Sequence, residues 1–234
     1  MSNSISVVII TKNEEKFIED AIKSAQFASE VVILDCGSID DTCSIAKNLG
    51  ARVEYQDWLG FGEQKNRAID LANNDWIFVL DADERITTEL RSEILEALKN
   101  EDYDGFLIPR LNNFFGKFIK RCGLYPDYSI RLFNRKKGRF NETPVHESVQ
   151  INGNVGHLKN HMIHLAYETV DEFIEKQKKY ASLSLKKKNL LKAIIAPFWV
   201  FIKIYLLRLG FLDGLHGYKI ALIYAKYTYW KYIE

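Results

Sequence analysis

Two carboxylates spaced two apart, Asp81 and Asp83, stand at the end of the apolar run Trp76-Ile77-Phe78-Val79-Leu80, with Glu84 directly after them. Such a run, rich in aromatic and β-branched residues, is expected to form a buried strand. On extended backbone, residues 81 and 83 would point to one side and Ala82 to the other. Two hard oxygen ligands at the mouth of a sheet suit Mg2+ or Mn2+ carrying a diphosphate, although the same tripeptide is often only a solvated turn. A second concentration of chemistry is Arg139-Phe140-Asn141-Glu142-Thr143-Pro144-Val145-His146-Glu147. That cluster of histidine and glutamate is unusual for a structural turn.

The elements that must position these groups alternate along the first half. Strands are expected at Ile5–Ile10, Val31–Leu34, Arg52–Tyr55, around Ile77, and at Gly105–Pro109. Helices are expected from Glu14 to about Gln26, from Asp40 or Asp41 to Gly50, from Gly62 to Leu71, and from Thr88 to about Leu98. Alternation of this kind implies a mostly parallel sheet covered on both faces, with ligands at the carboxyl ends of its strands. Thr11, Asn13, Glu14, Asp35, Asp81 and Asp83 all fall there. From Leu111 the rhythm breaks into a long loop, followed by an alternating strand at Ser129–Asn134.

Composition frames the rest. The 234 residues, 47% of them apolar, are enough for one large domain or a domain with an appendage. Cys36, Cys43 and Cys122 lack both metal-ligand spacing and a disulfide framework, so a reducing compartment is expected. No basic and apolar leader precedes the first strand, so no signal peptide is expected. The net charge of +1 hides a division: residues 176–234 carry twelve basic side chains against Asp213 and Glu234, a charge of +10, which leaves −9 for residues 1–175. Within the basic tail, Leu190–Leu209 is apolar apart from Lys192, Lys203 and Arg208, and contains Pro197. The ten uncharged residues between Lys192 and Lys203 fall short of the ~20 needed to span a bilayer. Those two lysines lie three helical turns apart, on one face, which suits a helix lying in an anionic membrane interface. Tyr218, Tyr224, Tyr227, Tyr229, Trp230 and Tyr232 have interfacial character too. The competing expectation is a pair of helices packed on the catalytic domain or on a second subunit, giving a homo-oligomer.

Taken in order, Val7-Val8-Ile9-Ile10-Thr11-Lys12-Asn13-Glu14-Glu15, Val32-Ile33-Leu34-Asp35-Cys36-Gly37-Ser38-Ile39-Asp40-Asp41-Thr42, Gly62-Glu63-Gln64-Lys65-Asn66-Arg67-Ala68 and Leu80-Asp81-Ala82-Asp83-Glu84 resemble glycosyltransferase family 2. Val145-His146-Glu147, the His164 region and Asp213-Gly214-Leu215-His216-Gly217 are similar to its WaaE/KdtX-type subgroup, β-glucosyltransferases of the lipopolysaccharide inner core. The resemblance implies a GT-A (Rossmann-like) α/β fold over residues 1–165, with a donor part at about 4–110 and an acceptor part at about 111–165. Residues 166–234 would form a basic, aromatic helical extension. Cys36 stands where the family often has a second aspartate, and Gln64-Lys65-Asn66 replaces the usual Ala-Arg-Asn, keeping the cation without the guanidinium fork.

By that resemblance, Thr11, Asn13 and Glu14 line the nucleoside site, and Asp35 accepts from the uracil imide or a ribose hydroxyl. Lys65 approaches uracil or the diphosphate, Asp81 sits near ribose and metal, and Asp83 is the main ligand of Mg2+ or Mn2+. Thr11 and Asp35 can equally serve as turn and cap residues, and Lys65 as part of a solvated helix face. An inverting transferase needs a base for the acceptor hydroxyl, with Glu147 the first choice and Glu142 its rival. His146 or His164 could complete the metal site, while His157, His161 and His216 are expected to be structural. The expected activity is transfer of a hexose, from UDP-glucose or a related UDP-sugar donor, to a lipid-linked saccharide acceptor. The expected place is the cytoplasmic inner face of the cell membrane, bound peripherally, with no nucleic acid partner. The rivals are a nucleotidyltransferase, disfavoured because the loop after the first strand has no glycine, and a non-catalytic membrane-docking nucleotide-binding module.

Overall fold

Strands buried on both faces set the architecture, in which β1 (Ile5–Thr11), α1 (Ile18–Ala25), β2 (Glu30–Asp35), α2 (Thr42–Asn48), β3 (Arg52–Tyr55), α3 (Phe61–Leu71) and β4 (Trp76–Val79) follow in turn. β2 and β4 flank β1, and β3 lies beyond β2, all in parallel register with Thr11 opposite Asp35. Residues two apart share a face, so Val7, Ile9, Ile33 and Phe78 pack with Ile18, Ala21 and Ile22 of α1. Val8, Val32, Leu34, Ile77 and Val79 pack on the other face with Ala68 and Ile69 of α3. This computed structural model describes residues 4–141, 147–183 and 189–233, so Glu142 and His146 lie outside the described residues.

The following elements are β5 (Glu84–Ile86), α4 (Thr88–Ala97), β6 (Gly105–Phe114), β7 (Lys117–Phe118), β8 (Asp127–Asn134), β9 (Gly138–Phe140), β10 (Val149–Ile151), β11 (Val155–His157) and β12 (Met162–Tyr167). The sheet runs β3-β2-β1-β4-β8-β6-β12-β5, and β9 and β10 form a separate two-stranded ladder. β8 is antiparallel to β4, and β5 to β12. The expected parallel half is therefore continued by a mixed half.

Several local expectations are corrected. α1 begins at Ile18 because Asn13 adopts φ 56° and Glu14 closes a turn with the N–H groups of Phe17 and Ile18. β4 stops at Val79, and residues 81–84 form a turn closed from the Glu84 N–H to the Asp81 carbonyl at 2.9 Å. Asp81 and Asp83 are therefore not neighbours on an extended strand. The loop expected from Leu111 starts as strand, since β6 continues to Phe114 and pairs with β7.

The chain divides into two units, Met1–Arg110 with Tyr128–His164, and Leu111–Asp127 with Leu165–Glu234. In the second, α5 (Val170–Leu183), α6 (Leu190–Ile202) and α7 (Leu215–Ile233) gather around Phe173, Ile204, Ile220 and Ala221. Asn189 caps α6, its side chain accepting the Lys192 N–H at 2.9 Å. A π-helical turn, Lys203–Leu207, prolongs that helix, giving an 18-residue run, Leu190–Leu207, long and apolar enough to cross a membrane by length and composition. The sequence-based estimate, which stopped at the lysines, was shorter. Asp213 ties the unit together: its carboxylate accepts the Arg121 N–H at 3.0 Å and its carbonyl accepts Lys117 Nζ at 2.7 Å. Gly217 lies against the Gly210 carbonyl, where any Cβ would collide. The Asp213–Gly217 motif is in this respect a joint between helices.

Candidate active site

The loops after β1 and β2 are pinned to each other. The Asp35 carboxylate accepts Thr11 Oγ1 at 3.2 Å, Ser38 Oγ at 2.5 Å, and the N–H groups of Gly37 and Ser38 at 2.8 and 2.9 Å. Burial alone would raise its pKa, but these donors, led by Ser38, hold it below the ordinary carboxylate value. With four protein donors on its two oxygens, Asp35 organises the turn. Asn13, in the left-handed conformation that asparagine tolerates, donates its N–H to Ser38 Oγ and accepts from the Ile39 N–H. Glu14 gives its N–H to Thr42 Oγ1 at 2.7 Å. Cys36, in the place of the second aspartate, donates its thiol to the Thr11 carbonyl at 3.3 Å.

Glu14 stands among other carboxylates. Burial, then the charges of Asp83, Asp40 and Asp81, push its pKa up from 4.5 to about 7. A carboxyl raised in the folded state costs no stability below its unfolded value near 4.5, a growing amount as pH climbs toward 7, and the full amount above. Glu14→Gln is therefore expected to raise the melting temperature at pH 8 in EDTA and to leave it almost unchanged at pH 4.5. Equal shifts at both pH values would refute the assignment.

The acidic turn is held by buried cations. The Phe78–Leu132 register carries Arg131 to the end of β4. There its Nη2 lies 2.6 Å from both Asp81 Oδ2 and Glu84 Oε1. Glu84 is wholly buried, accepts the Asp81 N–H at 3.0 Å, and lies 3.6 Å from Arg110. Burial would raise the Asp81 pKa, but Arg131 and then Lys65 outweigh it and hold Asp81 far below the carboxylate range. Burial raises Glu84 in spite of Arg131. Sequence reasoning missed Arg131, Glu84 and Arg110. The signal was the alternation of Ser129–Asn134, which puts Arg131 on the same side as the core residue Phe133, and an arginine there requires buried carboxylates.

Lys65 is 4% exposed, so the solvated-face reading fails. Its Nζ lies 3.1 Å from Asp81 Oδ1 and 3.2 Å from Glu147 Oε1, and 5.4 Å from the centre of the Phe140 ring. Gly62, one turn earlier on α3, meets the Asn141 carbonyl and the Glu147 side chain where a Cβ would stand, which admits the loop this close. Asp83 Oδ2 lies 3.3 Å from His164 Nε2. The structure thus brings Asp81, Lys65 and Glu147 together and pairs Asp83 with His164. Among the described residues no three His, Cys, Asp or Glu side chains form a ready-made metal cage. The arrangement offers a carboxylate at a cationic junction and an acidic turn beside it, which suits proton transfer next to a leaving diphosphate.

A sheet of this topology with an acidic turn after its fourth strand is a GT-A-type fold. The family model described as glycosyl transferase family 2 matches residues 6–157, and the chain belongs to that family. It is 33% identical over 241 residues to an uncharacterized glycosyltransferase of Rickettsia typhi, covering 94% of this chain and 82% of that one. It is 31% identical over 226 residues to the lipopolysaccharide core biosynthesis glycosyltransferase LpsC of Rhizobium meliloti, covering 90% and 82%. Among solved structures it resembles S. aureus TarS residues 1–349 in complex with UDP-GlcNAc, with a TM-score of 0.51, 18% identity, and coverage of 95% and 79%. It spans 46% of a longer TarS chain. At that identity the likeness shows the fold. Family membership makes the protein a glycosyltransferase and sets the nucleotidyltransferase and non-catalytic readings aside.

Proposed function

We propose that the protein transfers a hexose, from UDP-glucose or a related UDP-sugar, with inversion and with a divalent cation, to a hydroxyl of a lipid-linked saccharide of the lipopolysaccharide inner-core kind. The observation that carries this reading is the junction at Lys65, which joins Asp81 at the end of β4 to Glu147 from the far side of the sequence. The LpsC relative supports the class of acceptor. Thr11, Asn13 and Glu14 line the donor side, on a loop fixed by Asp35, and Asp81 is held ionised for ribose. The donor set fits a cation: carboxylates crowd the turn strongly enough to help raise Glu14 toward 7. Asp83 and His164 would hold Mg2+ or Mn2+. The bound ion supplies Lewis-acid relief of the charge building on the departing diphosphate. Glu147 takes the proton of the acceptor hydroxyl as it attacks the anomeric carbon, and Lys65 offsets the charge of that carboxylate until the proton arrives.

Glu147→Gln is expected to leave UDP affinity nearly unchanged while turnover falls by on the order of 10² or more, because the amide keeps the shape and loses the proton acceptor. Hydrolysis of a panel of UDP-sugars by the purified protein, with UDP binding followed by calorimetry, checks both halves. Full turnover by the variant would move the base elsewhere, Glu142 being the next to replace.

The second unit supports peripheral attachment to the cytoplasmic face of the membrane. α6 and its π turn expose Leu191, Ile194, Ile195, Phe198 and Leu206 along one stripe, with Ile194 71% and Phe198 69% exposed, while Ala193 and Ile204 on the opposite side are buried. At 100° per residue Lys192 and Lys203 fall on one edge of that stripe. They are only about 16 Å apart along the axis, so a helix crossing a core of ~30 Å would drag one of them inside. Lying in the interface leaves both among anionic headgroups, each contributing about 1 kcal/mol. The full chain should therefore sediment with phosphatidylglycerol vesicles, less at high salt, and Ile194→Asp with Phe198→Asp should release it. Equal sedimentation of both forms, or none by the wild type, would reassign the stripe to a contact between subunits.

A further inference from the structure

We infer that Asn66 is a positioning residue for transfer: its amide clamps the Phe140 peptide and thereby holds the Glu147 carboxylate at Lys65. Asn66 Nδ2 donates to the Phe140 carbonyl at 3.0 Å, and the Phe140 N–H donates to Asn66 Oδ1 at 3.0 Å. One side chain thus satisfies both backbone groups of a residue 74 positions away in sequence. Phe140 pairs with Val149 in the β9–β10 ladder, which is separate from the main sheet, so no strand pairing with that sheet fixes its register. The ladder ends in three bonds between Asn141 and Ser148: backbone N–H to carbonyl at 3.0 Å, Asn141 Nδ2 to Ser148 Oγ at 3.1 Å, and the Ser148 N–H to Asn141 Oδ1 at 3.1 Å. Glu147 directly precedes Ser148, so the seat of Phe140 is passed on to Glu147 across two residues.

The face of α3 is shaped for this grip. Gly62, Lys65, Asn66 and Asp70 lie on neighbouring turns. Gly62 admits the Asn141 carbonyl, Lys65 takes Glu147, Asn66 takes Phe140, and Asp70 binds Arg139 Nη1 and Nη2 at 2.5 and 3.0 Å. Phe140, Val149 and Ile151 anchor the ladder in apolar contacts. Those contacts are non-directional and do not fix its position along α3, whereas the amide pair admits one register.

The inference rests on Glu147 as the base, and a double-mutant cycle separates the two ideas. The assay is UDP release from whichever of UDP-glucose, UDP-galactose and UDP-N-acetylglucosamine the wild type turns over fastest. Asn66→Ala should lower kcat by roughly 10- to 100-fold, the cost of a misplaced group, with little change in the KM for the donor. Asn66→Asp, which keeps the acceptor and sets a carboxylate against the Phe140 carbonyl, should be no better. Added to Glu147→Gln, Asn66→Ala should cost less than about twofold more, since the two changes remove one function. Multiplying losses, or an Asn66→Ala enzyme with full kcat beside a dead Glu147→Gln, would overturn the positioning role and leave the base in place. An active Glu147→Gln would instead remove the base and this inference with it. Assays are run well below each variant's melting temperature, and Asn66→Ser replaces Asn66→Ala if that variant does not fold.

Discussion

Asp83→Ala is expected to bring transfer close to zero without unfolding the protein. Asp83 is partly exposed in a tight turn and pairs with His164, so truncating it removes little buried structure. Its proposed work is to hold the counter-charge of the diphosphate. Loss of one such electrostatic contact costs about two to four kcal/mol, or ~10² to 10³ in rate. The wild type in EDTA should lose a comparable factor and regain it with Mn2+ or Mg2+, while Asp83→Ala should not be rescued at the same concentration. UDP release, measured beside a thermal melt, reads both effects. Near-normal turnover by the variant, or wild-type turnover undiminished in EDTA, would end the metal-dependent reading.

Arg131→Met is expected to be the most damaging substitution for the fold. It would strip the partly buried Asp81 and the wholly buried Glu84 of the cation 2.6 Å from each, and breaking a buried pair by removing one partner costs about 3–5 kcal/mol. The pH dependence gives the cause away. In the wild type, Asp81 is depressed below its unfolded value, so its contribution is present above about pH 4 and lost as pH falls further. In the variant Asp81 keeps Lys65, but Glu84, already raised by burial, should titrate higher still, so the penalty is full at pH 8 and eases as Glu84 protonates toward pH 5. The gap in melting temperature should narrow over that range, and Arg131→Lys should recover part of it, since one guanidinium nitrogen serves both partners. A constant gap would mean that packing around the side chain, not charge, stabilises the turn.

The sequence by itself determined the alternating half of the fold and the neighbourhood of the site. Val7 and Ile9 against Val8, and the spacing of Ile18, Ala21 and Ile22, are local patterns that read the same in any context, because side-chain direction follows backbone period. Family motifs placed Thr11, Asp35, Lys65, Asp81 and Asp83 at strand ends and on α3 for the same reason. Only the tertiary structure decided what those residues face. Asp35 spends its oxygens on its own turn, and Asp81 and Asp83 part company because Glu84 folds back onto the Asp81 N–H. Lys65 is buried between residues 81 and 147, and Arg131 supplies the charge that keeps Asp81 ionised. Ion pairs across 50 or 82 residues leave no periodic trace in a chain. Their energy depends on separation and burial, and both are fixed only when the sheet and α3 have packed.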